Sequence, residues 1–327
     1  MFYVLAFVLC LAVLFIVLAG TAVFCAAGFL LVRRAFAALR PRISANLLFA
    51  LRTLPVLLAL LVTLGFALPS FMEFEPHATR ELIGFRLLLL AIPGGSLIVV
   101  IAMRTARIFM STRRAEREWR STAVPLQMRH GRVPIYCVET RPLLAVTGIF
   151  RPKIFVARSV AEVLSGREMA AAIAHEMAHV AALDNLKQVL LKITRPPDWM
   201  RFLGSHDSDW FDASELAADE GALARGASAL DLSSALVKVG RLSRQLPMTE
   251  MIAASHLLPF MTQSSIQRRV THLEKLLGNE VTVPSPAVVD DGRYWRVFGL
   301  FLLLVSYAVC LHAVLPWMHE VLEKLVR

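Results

Sequence analysis

Charge is scarce in this chain. Only 18% of its 327 residues are Asp, Glu, Lys or Arg, against about a quarter in an ordinary soluble domain. With 57% hydrophobic residues, that excludes a disordered chain and argues against a wholly soluble enzyme. Cysteine is scarcer still. Of the four, Cys10, Cys25 and Cys310 lie in apolar runs and Cys137 stands alone in a polar region. No C-x-x-C pair and no disulfide framework can be built from them, and Cys137 reads as a strand residue rather than a nucleophile. Glycine and proline, 16 each, show no low-complexity bias, and no repeat of fixed period is visible. The remaining reading is an ordered, partly membrane-embedded protein.

The net charge of +10 is not spread evenly. Residues 121–292 hold 18 basic and 18 acidic side chains, so the whole surplus lies in or beside hydrophobic segments. That is the positive-inside pattern of a membrane protein, and it leaves no basic stripe for phosphates; nucleic acid is not an expected partner. Uncharged runs at 2–32 and 53–72 are long enough to span. A third run at 82–103 carries Arg86 near its start and Pro93-Gly94-Gly95 in its middle, and a fourth lies at 297–318. Four transmembrane helices are expected, the third kinked at Pro93. The first run lacks a basic leader and is read as a retained anchor. Arg33, Arg34, Arg40, Arg42 and Arg52 follow it, and Arg104, Arg107, Arg113, Arg114, Arg117 and Arg120 follow the third run. These clusters predict that residues 104–296 are cytoplasmic and that the tail 319–327 is outside. Arg86 and His312 read as a snorkelling and a hydrogen-bonded side chain within the spans.

From 133 to 158 the pattern changes to short β-rich pieces, VPIYCVET, LLAVTGIF and KIFVA, separated by Arg-Pro pairs. A small antiparallel sheet is expected. Ser165-Gly166 then opens an alanine-rich helix, REMAAAIAHEMAHVAAL, at 167–183. It carries His175, Glu176 and His179, the pattern H-E-x-x-H. Side chains four apart share a helix face, so both imidazoles can bind one cation while Glu176 flanks the open coordination position. Two histidines and one further ligand would hold a catalytic zinc, with Glu176 as general base in peptide hydrolysis. Glu215-Leu-Ala-Ala-Asp219 lies on a second alanine-rich stretch 36 residues beyond His179. Glu215 is the expected third ligand, with Glu220 as its competitor. Asp219, one turn later, is placed to fix the tautomer of a ligand histidine.

These residues resemble the BlaR/MecR-type membrane zinc metallopeptidases, gluzincins with three transmembrane helices before a cytoplasmic protease domain and one after it. The resemblance rests on Val146-Thr-Gly148-x-x-Arg151-Pro152-x-Ile154, on Ala174-His-Glu-Met-Ala-His179 with Asp184-Asn185 behind it, and on Glu215-x-x-Ala-Asp219. It implies His175, His179 and Glu215 as zinc ligands, Glu176 as catalytic base, and a transcriptional repressor or the chain itself as substrate. Two features depart from it. Only His319–Arg327 follow the fourth run, where the best-known members carry a penicillin-binding sensor, so a β-lactam is not the expected signal. Ala218 precedes Asp219 where the sensor family often has cysteine, and is more like the related prenyl-protease and heat-shock-type membrane metallopeptidases.

The expected fold is thus an α-helical membrane protein with an α+β zincin-like domain. It is expected in the cytoplasmic membrane, in contact with lipid, cleaving a cytoplasmic protein in signal-responsive regulation. Quality control is the alternative, and a non-catalytic receptor retaining zinc is the third reading. Residues 143–148 are the expected edge strand for an extended peptide. Arg268 and Arg269 are candidates for oxyanion or substrate contact. Asp184 is expected to brace the end of the motif helix; His130, His206, His256 and His272 have no partner at ligand spacing, and Asp207, Asp209 and Asp212 read as an acidic loop.

Overall fold

A computed structural model describes residues 1–76, 84–126, 133–139, 144–149, 151–196, 207–244, 263–278 and 314–325. Three of its helices are long and apolar enough to cross a membrane: Phe2–Leu30, Pro41–Phe74 and Phe85–Thr122. The first lies within α1 (Phe2–Ala38). The second comprises α2 (Pro41–Val62), a π-helical turn at Thr63–Ala67 and α3 (Leu68–Phe74). The third is α4 (Phe85–Thr122), which runs as one helix through Pro93 and continues 19 residues past the expected end of the span. A Cβ at Gly94 would lie 2.2 Å from the Leu11 carbonyl oxygen, so the Pro-Gly-Gly segment marks where α4 crosses the backbone of α1. The expected fourth span, 297–318, falls outside the described residues except at 314–318. The described residues 314–325 are helical (α11), through the residues expected to form a short tail. Its Leu322 packs with Phe2, Leu5, Phe71 and Leu87, and Ser70 donates to the Leu315 carbonyl at 2.8 Å.

The polar part of α4 leads into the sheet. Glu116 pairs with Lys153 at 2.6 Å, and the Trp119 and Phe155 rings lie 5.4 Å apart. Strands β1 (Val124–Pro125), β2 (Ile135–Val138), β3 (Leu144–Thr147) and β4 (Lys153–Ala157) stand in the order β1-β2-β4-β3. The expectation of an antiparallel sheet is corrected here, because β2 pairs parallel with β4, while β1–β2 and β3–β4 are antiparallel. The reason is topological. Each of the connections β2–β3 and β3–β4 reverses the chain, so β2 and β4 point the same way, and β4, buried at four of its five residues, takes the centre.

Helices α5 (Arg158–Val163), α6 (Gly166–Ala182), α7 (Asp184–Ile193), α8 (Asp207–Leu223), α9 (Ala229–Arg244) and α10 (Gln263–Gly278) complete the domain. Ser165 caps α6 in a reciprocal box: its hydroxyl accepts from the Glu168 N–H, and Glu168 accepts from the Ser165 N–H. Alanine on α6 and α8 serves close packing, and Ala178 Cβ would lie 2.8 Å from a Cβ at Gly221. Asp207, Asp209 and Asp212 belong to α8 rather than to a loop. The first two stand in its opening turn, where acidic side chains complement the helix dipole.

Candidate metal centre

Helix α6 presents His175 and His179 one turn apart, and α8, packed against it, presents Glu215. The His175 Nε2 to His179 Nε2 distance is 3.2 Å. His175 Nε2 to Glu215 Oε2 and His179 Nε2 to Glu215 Oε1 are each 3.5 Å. A tetrahedral zinc with nitrogen and oxygen ligands at about 2.0–2.1 Å holds its ligand atoms about 3.3 Å apart. The two nitrogens and the Glu215 carboxylate, one ligand atom from each residue within 4.8 Å of the others, therefore stand close to the spacing such an ion needs, and these residues form the one group of three or more potential ligands found among the described residues.

The opposite edge of each imidazole is also held. His175 Nδ1 lies 2.9 Å from Asp219 Oδ1, and His179 Nδ1 lies 2.8 Å from Asp184 Oδ2. A carboxylate at Nδ1 favours the proton there and leaves the Nε2 lone pair for a cation, so both rings are set in the tautomer a metal requires. Asp184 reaches His179 because Leu183 adopts a left-handed conformation, φ 56°, and turns the chain sharply between α6 and α7. The residue expected to brace the helix end thus grips a candidate ligand.

Arg269, 3% exposed, enters from α10. It donates from Nε and Nη2 to the two oxygens of Asp219 at 2.8 and 2.6 Å, and from Nη1 to Glu215 at 2.7 Å; Nη2 lies 3.3 Å from both ring nitrogens of His175. These donors are committed to carboxylates, so an oxyanion contact is not the geometry found for Arg269. Arg268 points elsewhere and pairs with Asp212 at the surface. Glu220, the competitor for the third position, faces His272 at 3.2 Å.

The electrostatics follow from burial of this cluster. Burial pushes the Glu215 and Asp219 carboxyls up, but Arg269 and the imidazoles outweigh it and hold both below their usual range. Burial pulls His179 down, yet its hydrogen bonds to Asp184 and Glu215 push it up to about 10; His175 is raised as well, by Asp219 and Glu215, against burial and Arg269. Glu176 is raised, first by burial and then by the neighbouring Glu215 charge.

Strand β3 occupies a sheet edge, as expected for residues 143–148. Ile154 donates its N–H to the Pro134 carbonyl at 3.1 Å, on the β2 side. Ala145 and Thr147 therefore pair with β4, and the backbone groups of Leu144, Val146 and Gly148 face outward. Asn185 Nδ2 donates to the Val146 and Gly148 carbonyls at 3.3 and 3.2 Å. An incoming strand thus finds the C-terminal half of the edge engaged by α7, and Leu144 and the Val146 N–H are what remain for backbone pairing. The sequence offered Asn185 only as a companion of Asp184; its role comes from a contact 39 residues away.

No curated protein and no solved structure matches the chain. Residues 111–197, from the polar half of α4 through α7, match peptidase family M48, so the part of the chain that carries the sheet, His175, Glu176, His179 and Asp184 is similar to a metallopeptidase domain.

Proposed function

We propose that this chain is an integral-membrane, zinc-dependent endopeptidase that cleaves a protein on the cytoplasmic side of the membrane in signal-responsive regulation. The observation that carries the reading is the convergence of His175 Nε2, His179 Nε2 and Glu215 at zinc-ligand spacing, with each imidazole backed by its own carboxylate. A structural site would not require Glu176. In the proposed roles, His175, His179 and Glu215 hold zinc, which supplies Lewis acidity toward a peptide carbonyl and a water acidic enough to react near neutral pH. Glu176 takes a proton from the attacking water and returns it to the leaving amine. Asp219 and Asp184 keep the ligand imidazoles oriented, and Arg269 balances the negative charge of Asp219 and Glu215. The outward face of β3 at Leu144 and Val146 holds the substrate backbone.

A repressor, or the chain itself, is the proposed substrate by the resemblance to sensor-type membrane peptidases. Ala218, before Asp219, favours a second use of the same chemistry, in membrane-protein quality control. Zinc analysis of purified wild type, Glu176→Ala and Glu215→Ala, with casein cleavage assayed on the same samples, tests the common core. Expected are one zinc per wild-type chain, zinc retained with activity lost in Glu176→Ala, and zinc lost in Glu215→Ala. Zinc-free wild type, or cleavage indifferent to Glu176, would return the site to a non-catalytic role.

A further inference from the structure

Helix α8, which carries Glu215, and α7, which carries Asp184, are each fastened to the same apolar helix, α2. Phe29 of α1 and Ala45 and Leu48 of α2 form a buried cluster with Leu191 of α7 and Trp210 and Ala213 of α8. Two polar connections lie beside this seam. Arg52, a charged residue in an otherwise apolar stretch of α2, has a side chain only 10% exposed; its Nη2 donates to the Thr194 carbonyl at the end of α7 at 3.0 Å. Its Nε lies 3.3 Å from the carboxylate of Asp207, the first residue of α8. Asn46, a turn and a half earlier on α2, accepts from Lys187 Nζ at 2.9 Å; Lys187 reaches Asp184 at 3.5 Å, and Asp184 holds His179.

These contacts form two paths from α2. One runs Asn46–Lys187–Asp184–His179. The other runs from Arg52 to Asp207 and then along eight residues of α8, about 12 Å of rigid helix, to Glu215. Arg52 Nε and Asp207 Oδ1 are buried without a hydrogen bond, so this pair ties α2 to α8 by charge alone, while the directional contact is the bond from Arg52 to the Thr194 carbonyl.

We propose that α2 is the positioning element of the metal centre: Arg52 and Asn46 are positioning residues that set α8 and α7 against α6, where Glu215 meets the two histidines and Asp184 meets His179. The inference rests on the zinc reading of the site and adds to it the route by which a displacement of an apolar helix reaches the ligands. Helix α4 contacts the sheet through Glu116 and Trp119 and also reaches the end of α7, where Arg104 donates to the Arg195 carbonyl, so α2 is distinguished from it by its contacts with α8.

The test uses the full-length protein in lipid nanodiscs, loaded with zinc, and follows transfer of the metal to a chromogenic chelator alongside kcat, KM and Tm. The variants are Asn46→Ala, Arg52→Met and Arg52→Lys, with Lys238→Met as a control that breaks the ion pair to Glu168 away from the site. Zinc release roughly tenfold faster in Asn46→Ala and Arg52→Met is expected, the size typical of groups that orient metal ligands. A lowered kcat at nearly constant KM, partial recovery in Arg52→Lys, and a control with lower Tm but wild-type release complete the expected result. Asn46 is exposed, so its variant decides the matter should Arg52→Met fail to fold. Wild-type release rates in Asn46→Ala and in any folded Arg52 variant, from a wild type that does bind zinc, would overturn this inference alone. A wild type that binds no zinc would overturn the metallopeptidase reading and the inference with it.

Discussion

Glu168 shows how one side chain joins the cap of α6 to α9. Its carboxylate accepts from Lys238, from the Ser234 hydroxyl and from the Ser165 N–H, and these hydrogen bonds, the one from Lys238 foremost, hold its pKa down to about 2. In the unfolded chain a glutamate titrates near about 4.3. The depressed folded value means that the stabilisation is complete above that pH and is lost as pH falls through the interval toward 2. Thermal melts between pH 5 and pH 2.5 are therefore expected to fall more steeply for wild type than for Glu168→Gln, and parallel curves would remove this carboxylate from the acid response. Asn185 makes the corresponding case for substrate. Replacing it with alanine gives up two hydrogen bonds to the edge strand; if these fix the strand's place, KM for a peptide should rise roughly fivefold, equivalent to about 1 kcal/mol, with zinc content unchanged. An unchanged KM would leave Asn185 a purely structural bond. Glu168 lies on a helix that local sequence predicts and Asn185 just beyond its expected end, but their partners lie 66–70 and 37–39 residues away, a distance that no periodicity reports.

Among the elements, the apolar helices and the two that carry the candidate ligands were the most legible because each carries its own evidence. The spacing of His175 and His179 places them on one face, Ser165-Gly166 announces the start of α6, and Glu215 and Asp219 repeat the one-turn offset on α8. Strand positions were legible for β2, β3 and β4 for the same reason, whereas their order was not, since parallel or antiparallel pairing is decided by how connections cross and not by alternation within a strand. The long polar extension of α4 was missed because arginine-rich helix and arginine-rich loop have the same composition. Arg269 was found only as half of a pair, its burial being fixed by the two carboxylates of α8 and the α6 imidazole that it meets. The glycines of α4 allow an element-level test. Alanine at Gly94 must push α4 away from the Leu11 carbonyl, whereas alanine at Gly95 meets only the Leu11 side chain at 3.6 Å. Gly94→Ala should destabilise the bundle by about 1–3 kcal/mol, as overpacking does, and Gly95→Ala should be neutral or slightly stabilising, because alanine is the better helix former by roughly 0.5–1 kcal/mol. Equal Tm values for the two variants would mean that the helices do not meet at this crossing.

At the scale of the molecule, two contact regions define opposite ends of the apolar bundle. Phe2, Leu5 and Phe71 meet α11 at one end, while Phe29, Ala45 and Leu48 meet α7 and α8 at the other. The first and second helices each run from one region to the other, so the metal centre and the start of the chain lie at opposite ends of it. Arginines cluster toward the end that bears the metal centre, at Arg40, Arg42, Arg52, Arg104 and Arg107, and the acidic Glu73 and Glu75 stand at the other. That asymmetry is what the positive-inside rule reads as cytoplasm on the side of the metal centre, the orientation in which the proposed substrate would be reached. Single cysteines introduced at Glu75 and at Glu139, which follow α3 and β2 respectively, place a probe on each side in a cysteine-free background. In intact cells a membrane-impermeant thiol reagent is expected to label the cysteine at position 75 and to spare the one at 139, which should react only after permeabilisation. The reverse pattern would put the metal centre outside the cytoplasm, and a repressor could then no longer be its substrate, whatever the outcome of the zinc measurements.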